Sequence, residues 1–211
     1  MFFTLCNIHS WIVDKDHRSN SFFLLSTILS NRINFTAFTP VKSLVGLLLK
    51  FDFNRHVFYY RTILNFKYFN LLSNNFIISL DFDLMKKKLN QNDLKKLNNY
   101  NKSIYIKFVI YDKYNSEYIF VISTIVKKKG FNVLNIFYIS NEELFKNNWN
   151  SIKPIISRKF NVCFFSEYTF DKKKSFFPEN QLFNKISEKK FFLRGKIKLN
   201  PEDLLASDLI V

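Results

Sequence analysis

The sequence predicts an α/β protein, a mixed sheet flanked by helices, built in two successive parts. Three observations carry this. Apolar runs rich in Phe, Ile and Val, the pattern of buried strands, alternate with segments whose apolar residues recur at helical spacing. The layout of residues 1–70 recurs, with more strand, from about Leu71 onward. The chain has 211 residues, 47% hydrophobic and 23% charged, a globular balance with room for one ordinary domain or two small ones.

In the first part, residues 2–13 read as a buried strand stopped by Asp14-Lys15-Asp16. Ser19-Asn20-Ser21 offers N-cap side chains to a helix whose apolar positions 22, 25, 28 and 29 share a face. Ile33–Phe38 is a short strand ending at Thr39-Pro40. Pro40 then introduces a helix over Val41–Lys50, with apolar 44, 45, 48 and 49. Val57–Phe66 is a closing strand pair or one long edge strand.

In the second part Phe76–Leu84 reads as a strand and Gln91–Asn101 as a polar, Lys-rich helix. Ile104–Tyr111, Tyr118–Val126 and Phe131–Ile139 form a three-strand meander whose last turn is marked by Lys127–Gly130. Ser140, with Glu143 three residues on, has the capping-box pattern. Ser151–Lys159 continues helically, Val162–Phe165 and Phe191–Gly195 are short strands, and Pro201-Glu202-Asp203 opens a final helix. Two halves of similar layout suit a duplicated unit, divided as 1–70 and 71–211.

Composition narrows the function classes. The 27 Phe, with many Asn, Ile and Lys, point to codon bias toward A and T, so neither the Phe excess nor all of the Lys excess reads as a binding feature. A net charge of +15 permits polyanion partners, but it is dispersed: residues 1–70 carry +5 and the other 141 carry +10. The triplets Lys86–Lys88, Lys127–Lys129 and Lys172–Lys174 sit at the edges of hydrophobic runs rather than in one stripe. Cys6 and Cys163 lie in apolar runs and read as buried thiols, which fits a reducing cytosol. Cys6 and His9 have C-x2-H spacing, but with His17 and His56 as the remaining histidines no second ligand pair follows, so no metal is expected. The longest charge-free apolar stretch, Ser19–Asn31, is 13 residues, below the roughly 20 that span a bilayer.

Catalytic motifs are scarce. Three glycines leave no room for a Gly-rich phosphate loop, and neither a nucleophile elbow nor a zinc helix is present. Asp81 and Asp83 alternate on one strand face, a carboxylate pair or a solvated edge. One segment carries a clearer signal: a strand ending at Trp11-Ile12-Val13, a turn containing Arg18, then Ser19-Asn20-Ser21 and an apolar helix. Free amides at a helix N-terminus, the helix dipole and an Arg together make an anion site for phosphate, although an ordinary capped helix has the same pattern.

This run, HSWIVDKDHRSNSFFLLSTIL, resembles the strand-turn-helix core of GNAT-type acyl-CoA N-acyltransferases, in which an Arg-led turn cradles the pyrophosphate of coenzyme A. NFTAFTPVKSLVGLLLKFDF resembles the family's next strand, turn and helix. RGKIKLNPEDLLASDLIV resembles the ending of bacterial two-unit GNAT-like proteins. The resemblance implies the second half of one unit over 1–70, N-terminally truncated, and a related unit over 71–211. It implies acyl transfer from acetyl-CoA or another acyl-CoA to an amine, or a degenerate relative that binds coenzyme A without turnover. The cofactor contacts it implies are Val13, Arg18, Ser19, Asn20 and Ser21.

Departures from the family pattern bear on chemistry. Ser21 and Phe23 replace the small residues of the turn, and Phe23 would crowd a phosphate. Phe51-Asp52-Phe53 stands for Leu-Gly-Phe, with Asp52 tolerable where a left-handed cap is needed. The Tyr that serves the family as general acid falls at Leu48, so no acid is assigned, and the base is unknown. The rival reading is a basic RNA- or ribosome-associated module without catalysis, using dispersed Lys for phosphates and Phe or Tyr for stacking. The dispersed charge by itself predicts only weak, unselective nucleic-acid binding. The missing opening strands predict an exposed sheet edge near Phe2–Ile12 that favours self-association.

Overall fold

The computed structural model describes residues 5–7, 23, 26–27, 34–38, 40, 42–64, 75–99, 104–114, 116–178 and 185–195. In chain order its elements are β1 (Leu5–Asn7), β2 (Asn34–Phe38), α1 (Lys42–Lys50), β3 (Asn54–Leu64), β4 (Phe76–Ser79), α2 (Phe82–Lys88), α3 (Gln91–Asn99), β5 (Ile106–Asp112), β6 (Tyr118–Lys128), β7 (Phe131–Ile139), α4 (Glu142–Asn147), α5 (Trp149–Phe160), β8 (Phe164–Thr169) and β9 (Lys185–Arg194). The helix expected from Pro201 lies outside the described residues. So do most of the strand expected over 2–13 and of the helix after Ser21, although Phe23, Ser26 and Thr27 are helical.

The described residues fall into two compact units, the second being Tyr59–Ser187. The first joins Leu5–Phe58 to the later part of β9, so strands from both ends of the described chain build one sheet. In it β1 pairs parallel to β2, with Cys6 opposite Phe35, and β2 pairs antiparallel to β9, with Ala37 opposite Phe192. Helix α1 buries Leu48 against Phe35, Ala37, Phe53 and Phe192. It ends in a Schellman motif: the Phe53 N–H donates to the Leu48 carbonyl (3.1 Å) and the Asp52 N–H to that of Leu49 (3.3 Å). Asp52 takes the left-handed conformation (φ 60°) that this cap requires.

In the second unit the strand order is β3-β8-β7-β6-β5-β4. Every neighbouring pair is antiparallel except β7 with β8, which is parallel. A parallel pair needs a crossover, and α4 with α5 supplies it. The stripe Trp149, Ile152 and Ile156 of α5, with Phe145 of α4, packs on Phe108, Ile110, Val121, Leu134, Ile136 and Phe165 of the sheet. The β6–β7 hairpin turns on Lys129 (φ 50°) and Gly130 (φ 86°), two positive-φ residues that match the strand twist.

Several expectations need correction. Phe76–Leu84 is not one strand. β4 stops at Ser79, and Asp81 caps α2 by accepting from the amides of Asp83 (2.9 Å) and Leu84 (3.2 Å), so Asp81 and Asp83 are not a strand-face pair. Ser140 is not the cap of α4. Asn141 accepts from the Leu144 amide (3.0 Å), while the Ser140 hydroxyl accepts from the Phe120 amide (2.8 Å) on the sheet. β8 begins at Phe164 and runs to Thr169, and β9 begins six residues earlier than Phe191. Polar residues such as Ser166, Glu167 and Ser187 hid these extensions, because their burial or pairing depends on partners far away in sequence. The open alternative at Val57–Phe66 resolves into one long strand, β3.

Candidate functional site

The expected cofactor contacts, Val13, Arg18, Ser19, Asn20 and Ser21, all lie outside the described residues. Phe23 just beyond them is helical and exposed, its carbonyl accepting from the hydroxyls of Ser26 (2.8 Å) and Thr27 (2.9 Å). Leu48, at the position the resemblance gives to the general acid, has no exposed surface and only apolar neighbours in its cluster. His56 stacks on Phe191 (centroids 5.2 Å apart), a packing role. Cys163, expected as a buried thiol, is only half-buried. No group of three or more His, Cys, Asp or Glu able to hold a metal occurs among the described residues. None of their helices is long and apolar enough to cross a membrane.

The second unit has its own strand, turn and helix between parallel strands: β7, then Ser140-Asn141, then α4. The β7–β8 ladder ends at Ile136 opposite Glu167, although β7 runs on to Ile139 and β8 to Thr169. The break coincides with a bulge. Ser123 of β6 faces Ile136 and Ile122 faces Tyr138, which leaves Phe137 as the extra residue. Beyond the last ladder pair the rings of Phe137 and Tyr168 stack, 5.4 Å apart at 8°, and both are buried. The turn also suits an anion poorly. Glu142 and Glu143 form the first turn of a six-residue helix, and Asn141 already occupies the Leu144 amide. The residues present here do not fit the phosphates or the extended arm of a coenzyme A.

On the sheet face away from the α4–α5 core, four strands align a polar row: Thr62 opposite Ser166, Ser166 opposite Asn135, and Asn135 opposite Thr124. Ser166 donates to Asn135 Oδ1, and the Thr124 hydroxyl is buried with no hydrogen-bond partner. Tyr60 lies beside this row, its phenol oxygen accepting from Lys128 Nζ at 2.8 Å. Burial alone would raise that phenol. The hydrogen bonds from Lys128, Ser166 and Thr62, with the Lys128 charge, outweigh it and bring Tyr60 below the usual tyrosine value. Tyr168, 4.9 Å away ring to ring, moves the other way because burial and the neighbouring Tyr60 both disfavour its anion. The partners of Tyr60 thus favour its anion more than burial disfavours it. Sequence reasoning missed this tyrosine, since Tyr60 and Lys128 stand 68 residues apart.

No family model and no curated protein sequence matches the chain. Solved structures do. A GCN5-related N-acetyltransferase from Anabaena variabilis matches with a TM-score of 0.50 at 11% identity, over 90% of this chain and 54% of that one. A conserved protein of unknown function from Enterococcus faecalis matches with a TM-score of 0.50 at 10% identity, over 90% and 54%. A GCN5-related N-acetyltransferase from Kribbella flavida matches with a TM-score of 0.51 at 9% identity, over 90% and 52%. The chain thus spans about half the length of each of these three solved proteins. Likeness at such low identity speaks to architecture alone: this chain, with its mixed sheet, parallel pair and helical crossover, has a GNAT-type fold.

Proposed function

We propose that this protein binds coenzyme A or an acyl-CoA through the turn holding Val13, Arg18, Ser19, Asn20 and Ser21, and does not transfer the acyl group. Transfer to an amine needs a base to take the amine's proton and an acid to meet the leaving thiolate. The observation that carries the reading is Leu48: where the resemblance expects the acid, a leucine is sealed in an apolar cluster. Binding asks less of the chain. Amides at a helix N-terminus hold phosphate by geometry, and Arg18 adds a charge-assisted bond. The second unit supports this division of labour, since Phe137 and Tyr168 stack beyond the β7–β8 ladder and Glu142 and Glu143 oppose an anion.

Calorimetry with coenzyme A and a thiol-release assay with acetyl-CoA and a panel of amines test it together. The parent should bind, and Arg18→Ala should bind about tenfold or more weakly, the loss of one charge-assisted contact of roughly 1.5–3 kcal/mol. Thiol release should stay at the buffer rate. Amine-dependent release that disappears in Tyr60→Phe would replace this reading with a working transferase. No binding by the parent, or equal affinity in Arg18→Ala, would leave the fold without its cofactor.

A further inference from the structure

A basic surface stands apart from the cofactor reading and uses none of residues 13–21. In the second unit the β6–β7 turn lies beside the C-terminal end of α5. The Asn132 side-chain amide donates to the Asn161 carbonyl (3.1 Å), and the Cys163 N–H donates to the Asn132 carbonyl (3.3 Å). The rings of Phe131 and Phe164 meet edge to face at 5.5 Å.

Five cations gather at this end: Lys127, Lys128 and Lys129 on the hairpin, with Arg158 and Lys159 in the last turn of α5. All five are exposed. No Asp or Glu occurs in residues 118–141 or 144–166, the stretches that build this end. None of the five makes an ion pair among the described residues, although Lys128 donates to the Tyr60 phenol oxygen (2.8 Å). The α5 dipole accounts for Arg158 and Lys159 at a helix C-terminus, but it does not account for the hairpin lysines.

Among these charges stands an apolar ring. Phe131, directly after Gly130 of the turn, is 53% exposed, an unfavourable place for a phenyl group in water. The neighbouring Phe160 and Phe164 are half-buried, Phe160 against Phe108 and Phe164 against Phe131. The patch therefore presents one exposed ring surrounded by positive charge. Single-stranded nucleic acid is held by successive aromatic platforms along a charged groove. A lipid surface requires only cations facing its phosphates and an apolar group that enters the headgroup layer.

We propose that this end of the second unit docks on an anionic lipid surface, with the five cations facing lipid headgroups and the Phe131 ring entering the headgroup–acyl boundary. The contact is peripheral and reversible. Each cation close to an anionic membrane strengthens binding about fivefold, so the patch acts through its members together.

The test sediments the parent protein with vesicles of phosphatidylcholine alone or with about one-third phosphatidylserine, in salt of about 0.15 M. Anionic vesicles should bind at least about tenfold more tightly than neutral ones. Lys129→Gln combined with Arg158→Gln should weaken that binding about 25-fold. Lys172→Gln, Lys173→Gln and Lys174→Gln combined remove more charge, but at the other end of β8, and should change binding by no more than about twofold. Phe131→Ala should weaken it about fivefold. Circular dichroism checks that each variant is folded. Equal binding to the two kinds of vesicle, or a loss in the Lys172–Lys174 variant as large as in the patch variant, would overturn the surface. Phe131→Ala binding as the parent does, or displacement from vesicles by a single-stranded oligonucleotide at equal phosphate concentration, would overturn lipid as the partner. Coenzyme A calorimetry on the same variants should match the parent, so the cofactor reading stands or falls separately.

Discussion

At Glu167 of β8 a carboxylate with no exposed surface accepts from Arg61 (2.9 Å), Ser175 (2.6 Å) and the Phe176 amide (2.6 Å). Burial still outweighs these partners and pushes its carboxyl above the ordinary glutamate value. The folded protein then holds this proton more tightly than the unfolded chain. Its contribution to stability is greatest below the ordinary value and falls as pH rises through the raised folded value. Urea unfolding over a pH series should show the parent losing stability relative to Glu167→Gln across that window, and a difference independent of pH would refute the assignment. Glu167→Ala strands Arg61 in the interior and should cost about 3–5 kcal/mol. Nothing local announced this pair, whose members stand 106 residues apart and meet only because β3 and β8 pair in register. Asp52 was legible by contrast, since the demand for a left-handed cap arises within the six residues around it.

Among the elements, those whose signals are local matched expectation: α1 after Pro40, the Lys-rich α3, and the β5–β6–β7 meander with its turn at Lys129-Gly130. Competing caps were harder to read. Ser140 and Asn141 are adjacent and each can cap α4, and the choice fell to Asn141 because the Ser140 hydroxyl is taken by the Phe120 amide across the sheet. Asn141→Ala should therefore destabilise the protein by about 1 kcal/mol. Asn141→Ser should recover most of that loss, as read from denaturation midpoints. If Asn141→Ala leaves the midpoint where it was, α4 does not depend on its cap. At Asp81 the same kind of competition ended a strand, because its carboxylate satisfies two amides at the start of α2 more cheaply than an exposed strand position would.

For the whole molecule, charge supports one further expectation. The described lysines of the three triplets sit at the end of α2, on the β6–β7 hairpin and in the loop after β8, so they form no shared stripe. RNA or DNA titrated against salt should lose affinity steeply toward physiological ionic strength and show no sequence preference. Tight, selective binding at that ionic strength would favour the nucleic-acid reading instead. The sequence by itself determined the α/β class, most helices and strands, and the resemblance to the GNAT architecture, because periodicity, caps and turns are properties of neighbouring residues. Tertiary structure alone decided the rest: that β9 returns to pair with β2, that Phe137 and Tyr168 stack beyond the β7–β8 ladder, and that Asp93 is buried under two tyrosines. Each of these joins residues from 25 to more than 150 positions apart. Such contacts form only once the sheet has set its register, and no local pattern in the chain encodes them.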